Sequence, residues 1–155
     1  MLRRFVWLAL AVALAVPAQN YDGPVPPKPD LPYLKHGDNL IPTDAVEAKE
    51  DKKKDSTVYM IDGANASART PLAAPILLMK ADKILPRNLQ LYKFEVKGGH
   101  RELNFPVKRP PQAIRIVVTK LSSDIWKIEV DESLEAGEYV LSPSDSNQAF
   151  CFAVF

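Results

Sequence analysis

The chain of 155 residues holds one cysteine, Cys151, and two histidines, His36 and His100. A single cysteine excludes an intramolecular disulfide, so the core must hold by packing alone. The same scarcity removes the usual zinc sets, which need three or four clustered donors. Nucleophilic catalysis needs a base beside its nucleophile, yet His36 falls in a proline-rich stretch and His100 at a pair of glycines, so both are expected at the surface. There is no Gly-x-Ser-x-Gly elbow. Cys151 stands between Phe150 and Phe152, where a thiol behaves as a small apolar side chain. Asp145 and Asn147 offer oxygen ligands of the kind calcium takes, but the spacing of an EF-hand loop is missing and a plain turn is expected there. No catalytic set, metal or cofactor is expected. No long segment carries a helical period.

What is present begins with an export signal. Arg3 and Arg4 precede an apolar run of 12 residues from Phe5 to Val16, followed by Pro17 and Ala18. This is the order of a signal peptide, with Val16 and Ala18 as the small or aliphatic residues before the cut. The run is shorter than the roughly 18 residues that cross a bilayer. Residues 1–18 are therefore expected to be removed, leaving no transmembrane anchor and a secreted or periplasmic protein that begins near Gln19. The remainder has the length of one compact domain, roughly 100 to 150 residues.

Residues 19–45 are rich in proline (Pro24, Pro26, Pro27, Pro29, Pro32 and Pro42), which favours an extended arm or linker. The charged run from Glu47 to Asp55 has no apolar face. It is compatible with a short exposed helix capped by Asp44 and with the charged tip of a hairpin. Residues 46–155 read as an all-β domain. Runs of branched and aromatic residues predict strands near 57–61, 75–81, 89–97, 100–105, 113–121, 125–130, 138–141 and 148–155. Gly98 and Gly99, between Lys97 and His100, mark a two-residue primed turn. Tyr92, Phe94 and Val96 alternate with Lys93, Glu95 and Lys97, the pattern of a sheet with one wet face. Residues 76–79 and 150–155 are apolar on both parities, as in strands covered on both sides.

Leu134, Gly137, Tyr139 and Leu141 stand just before the last strand. This spacing resembles the tyrosine corner of immunoglobulin-like sandwiches, where a tyrosine hydroxyl bonds back to the backbone a few residues upstream. The resemblance implies an antiparallel immunoglobulin-like β-sandwich of about seven or eight short strands, with Tyr139 as the corner residue and Gly137 giving the close approach. Two features depart from antibody domains: paired cysteines are missing, and Trp126 lies just before the corner rather than early in the domain.

Charge is divided along the chain. Residues 80–120 carry ten Lys or Arg against three acids, and residues 121–155 carry one against seven. Lys93, Lys97, Arg101, Lys108, Arg109 and Arg115 form a candidate patch for an anionic ligand. The alternative is cancellation by the acidic strands across the same sheet. An exported protein is a poor partner for nucleic acid, so an envelope protein or an anionic polysaccharide is the partner expected. The leading expectation is a non-enzymatic binding or structural protein of the envelope or extracellular space. A carboxylate-based hydrolase using Asp131, Glu132 and Glu135 with His100, and a small outer-membrane barrel ending at Phe155, are the alternatives.

Overall fold

The computed structural model describes residues 20–155, and the expected signal peptide lies outside them. Fourteen strands, β1 to β14 along the chain, form three sheets, and the described residues contain no α-helix. The first sheet has the order β11 (Ile116–Lys120), β12 (Ile125–Val130), β7 (Ile76–Lys80), β1 (Pro32–His36), β2 (Asn39–Pro42). The central sheet runs β3 (Asp44–Glu47), β14 (Gln148–Val154), β13 (Gly137–Pro143), β8 (Leu89–Lys93). The third runs β4 (Lys49–Lys52), β5 (Ser56–Asp62), β10 (His100–Pro106), β9 (Glu95–Lys97). All these pairings are antiparallel. A short β6 (Arg69–Thr70) adds to β14 in parallel.

The central sheet is covered on both faces, because β13 and β14 carry buried residues on both parities. Leu89, Leu91, Leu141, Phe150, Phe152 and Val154 pack toward the first sheet against Leu34, Leu77, Met79, Ile128 and Val130. Each large side chain so buried stabilises the fold by about 1.5–3 kcal/mol. The opposite parity, Tyr92, Val140, Ala149, Cys151 and Ala153, joins Ile61 and Phe94 in a second core, with Leu103 and Phe105 of the third sheet packed against it. The wet face expected for residues 89–97 is thus corrected for β8: Leu89 and Leu91 cover it with a second layer.

Two strands pass from the central sheet into the third. β3 continues through Ala48 into β4, and β8 continues through Phe94 into β9. The linking residues stay pinned, since Ala48 N–H donates to the Asn147 carbonyl (2.8 Å) and Phe94 N–H to the Glu138 carbonyl (2.8 Å). The two sheets are joined along both edges and enclose the second core as a flattened, barrel-like compartment.

Several expectations are corrected here. The count of seven or eight strands is too low, since the chain also forms strands from Pro32 to Lys52 and splits the 89–97 run in two. The arm expected over 19–45 enters the body at Pro32, with Leu34 fully buried between β7 and β2. Its earlier part is fixed by Asp30, whose carboxylate accepts the backbone N–H groups of Asp82, Lys83 and Ile84 at 2.9–3.0 Å. Of the two readings of the charged run, the hairpin is the one found: β4 pairs with β5 from Lys49↔Met60 to Lys52↔Thr57. Gly98 and Gly99 adopt φ of +58° and +77° in the turn joining β9 to β10, the left-handed backbone that glycine permits without strain. The strands reach at most 7 residues, short of the about 9–11 that a membrane-spanning strand uses. No helix of the described residues is long and apolar enough to cross a membrane.

Tyr139 makes the upstream backbone bond expected of it. Tyr139 Oη donates to the Glu135 carbonyl at 2.7 Å, and its ring, 1% exposed, stacks on Phe152 with centroids 5.8 Å apart. A Cβ at Gly137 would lie 2.8 Å from Cε of Lys93, so the glycine lets that lysine lie across the strand. Trp126 is buried in β12, beneath the Arg87 guanidinium (5.2 Å) and the Lys120 ammonium (5.6 Å).

Candidate functional site

The compartment between the central and third sheets is not filled. A cavity of ≈ 300 Å³ opens from it beside the turn joining β13 to β14. Period-two alternation delivers its walls: Thr57, Tyr59 and Ile61 from β5, Gln90, Tyr92 and Phe94 from β8 and its continuation, Leu103 and Phe105 from β10, and Val140 and Ser142 from β13. From β14 the cavity takes Ala149 alone. That strand turns Phe150, Phe152 and Val154 toward the first sheet and the smaller Ala149, Cys151 and Ala153 toward the compartment. Ala48, at the switch between sheets, adds a second small residue to the lining.

The aromatic rings are fixed against one another. Phe105 meets Tyr59 at 5.6 Å with planes 86° apart and Tyr92 at 5.2 Å with planes 80° apart, the edge-to-face geometry that aromatic quadrupoles favour. The mouth is polar, with Asp145, Ser146 and Asn147 from the turn. Asp145 holds a φ of +59°, which short polar side chains tolerate in turns. Ser142 Oγ donates to the Gln148 carbonyl at 2.7 Å and Asn147 Nδ2 to Glu50 Oε2 at 3.4 Å, which sets the rim. Burial first, then the negative charge of Glu50, raises the Tyr59 phenol above its ordinary value; Asp145 adds to the rise and Lys52 opposes it.

Beyond the opposite end of the cavity lie Arg101 and Glu138, both buried. Arg101 Nε donates to the Gly63 carbonyl at 2.9 Å and Nη2 to the Asp62 carbonyl at 3.1 Å. Glu138 Oε2 accepts the Ala66 N–H at 3.0 Å and lies 3.9 Å from Arg101 Nη1. Cys151, packed in the second core, is a free, fully buried thiol, raised by burial to about 12.

The residues singled out for an anionic ligand are dispersed. Lys93 pairs with Glu135 at 3.0 Å and Arg115 with Asp131 at 3.1 Å, both acids of the last third of the chain. Lys97 bridges Glu95 (2.9 Å) and Glu102 (3.2 Å) on the third sheet, and Arg101 is inside. Lys108 and Arg109 lie exposed on the loop after β10 and form no ion pair among the described residues. The histidines are more engaged than surface residues would be. His36 Nε2 is 2.8 Å from the hydroxyl of the buried Thr70, and His100 Nε2 is 2.9 Å from Glu102 Oε2. The His100 bond, then Lys97, holds the Glu102 carboxyl below the usual range. Asp131, Glu132, Glu135 and His100 do not converge. Glu132 and Glu135 border a shallow depression near Tyr139, and none of the four lines the larger cavity. Among the described residues no group of three or more His, Cys, Asp or Glu is placed to hold a metal ion.

No protein-family model, no curated protein and no solved structure matches this chain.

Proposed function

We propose that the protein is an exported, non-enzymatic β-sandwich protein that works in the cell envelope or extracellular space by binding a small ligand between its central and third sheets. The observation that carries this reading is the ≈ 300 Å³ cavity walled by aromatic and aliphatic side chains and rimmed by Asp145, Ser146 and Asn147. Ligand pockets have this make-up, at the small end of the usual 300–1,000 Å³ range. Small side chains at Ala48 and Ala149 leave the space open although larger apolar residues would fill it. We read the first and central sheets, locked by the Tyr139 corner, as an immunoglobulin-like scaffold for that compartment. The exposed Lys108 and Arg109 are the place where an anionic polysaccharide or an envelope protein would dock. A hydrolytic role for Glu132 and Glu135 is the weaker reading, because Glu135 is exposed and paired with Lys93 and neither carboxylate lines the larger cavity.

Two measurements test the proposal. Expressed with its own N-terminus in a bacterium, the protein should appear outside the cytoplasm with a mass that begins near Gln19; an uncleaved cytoplasmic product refutes export. A thermal-shift screen of the mature chain against small apolar amines, acids and neutral rings should give stabilising compounds, and Ala48→Phe should abolish the shift while retaining the native circular dichroism. A screen without a single such compound refutes the binding role.

A further inference from the structure

We infer that the cavity takes a small organic cation, an alkylammonium group of the choline type, with its methylated ammonium head among the rings of Tyr59, Tyr92 and Phe105 and within the field of Glu50 and Asp145 at the mouth. The inference rests on the cavity being a binding site and adds the chemistry of what enters it. Size comes first. At roughly 30 Å³ per water-sized unit, a cavity of ≈ 300 Å³ holds on the order of ten non-hydrogen atoms. That suits a compact head group and is too small to enclose a folded peptide or a long lipid chain.

Charge decides the class. Among the residues that line the cavity, Asp145 alone carries a formal charge. Glu50 lies directly across from Tyr59 in the β4–β5 register, on the same side of the sheet. Lys52 reaches Glu50 Oε1 at 3.6 Å from an exposed position, so the mouth keeps one net negative charge. The buried Arg101 and Glu138 beyond the far end balance each other. Ring faces supply the rest, because an aromatic quadrupole attracts a cation within about 6 Å of its centroid. Phe105 stands perpendicular to both tyrosine rings, and all three line the one space. Phe94, another wall residue, already accepts the Arg101 guanidinium at 5.9 Å from its own ring. An anion would meet a carboxylate at the mouth, and a neutral ligand would leave that charge unused.

The test uses the mature chain and three probes of similar shape: choline, its neutral isostere with carbon in place of the ammonium nitrogen, and pivalate. Titration calorimetry should rank choline tightest, about three- to five-fold ahead of the isostere, with pivalate last. Asp145→Asn should weaken choline alone. Lys52→Ala removes the competing cation and should tighten choline about two-fold, a gain that misfolding cannot imitate. If the isostere or pivalate binds as tightly as choline, or if Lys52→Ala weakens choline, the cation inference falls while the cavity still stands as a binding site. Binding of choline that survives Ala48→Phe places the ligand elsewhere and overturns the cation inference, while the wider screen decides for the cavity. Absence of binding by all three probes overturns the cation inference, and the wider screen then decides whether the cavity binds anything.

Discussion

Replacing Arg101 with methionine should destabilise the protein more than any change on its surface. Arg101 is 4% and Glu138 7% exposed, so neither charge has water to fall back on. The guanidinium is held by the carbonyls of Asp62 and Gly63, and its Nη1 has no hydrogen-bond partner. At 3.9 Å from the Glu138 carboxylate, Nη1 gives charge compensation without a hydrogen bond. Methionine fills much of the volume but leaves Glu138 as a buried, uncompensated charge, a change that costs about 3–5 kcal/mol. Against a total stability of about 5–15 kcal/mol this is a large fraction. Glu138→Gln keeps an acceptor for the Ala66 N–H but strands the buried Arg101 guanidinium, so it too should cost about 3–5 kcal/mol. In the double variant no buried carboxylate is left stranded, and its loss should be smaller than the sum of the singles by at least about 1 kcal/mol. Urea unfolding of the four proteins measures this directly, provided the denaturant slope is unchanged between variants. Costs that add to within about 0.5 kcal/mol would refute the reasoning, since non-interacting sites behave that way.

Asp30 has a φ of +56° and a carboxyl that burial alone would raise. Its bonds to the N–H groups of Ile84, Asp82 and Lys83, helped by the Lys83 charge, lower it overall. Its contribution should be complete above the ordinary carboxyl range and fade as pH falls through the lowered value. Asp30→Ala should cost about 1–3 kcal/mol and more than Asp30→Asn, which keeps an acceptor and tolerates the left-handed backbone. Equal losses for the two in thermal unfolding at neutral pH would contradict this. Cys151 should resist a thiol reagent in the native state and react fully in denaturant. Because burial raises its folded value from 9.0 to about 12, stability should be unaffected below pH 9 and decline between about pH 9 and 12. The Cys151→Ala variant should lack that component of the alkaline decline.

Every strand predicted after Ser56 is present, because each carries a branched or aromatic run bounded by turn residues. Ile125–Val130 matches its predicted limits, and the Gly98–Gly99 turn falls where two glycines made it legible. The strands before Ser56 were hidden for different reasons. β1 and β2 begin and end at Pro32 and Pro42, and proline at this density favours an extended arm. Those prolines sit at the outer limits of their strands, where a missing donor matters least. β4 consists of Lys49, Glu50, Asp51 and Lys52, all exposed. No apolar parity marks it, and it is a strand through its pairing with β5. Pairing partners far apart in the chain leave no local trace.

The cavity was hidden for a reason that local pattern can describe after the fact. As a pattern of apolar against polar, residues 150–155 are uniform. The informative variable was volume: Ala149, Cys151 and Ala153 alternate with Phe150, Phe152 and Val154, so one face of β14 is packed by bulk and the other is left shallow. A strand buried on both sides with small residues on one parity must either meet a closely approaching sheet or border a space. Here the aromatic rings of Tyr59, Tyr92 and Phe105 prop the third sheet away from the central one, and the second outcome follows. The run from Leu89 to Lys97 conceals the complementary fact. Tyr92, Phe94 and Val96 keep one parity through Phe94, while the strand exchanges β13 for β10 as its partner. Alternation records which way a side chain points and is silent on which strand lies beside it, so the joined edges that make a compartment from two sheets could come only from the three-dimensional structure.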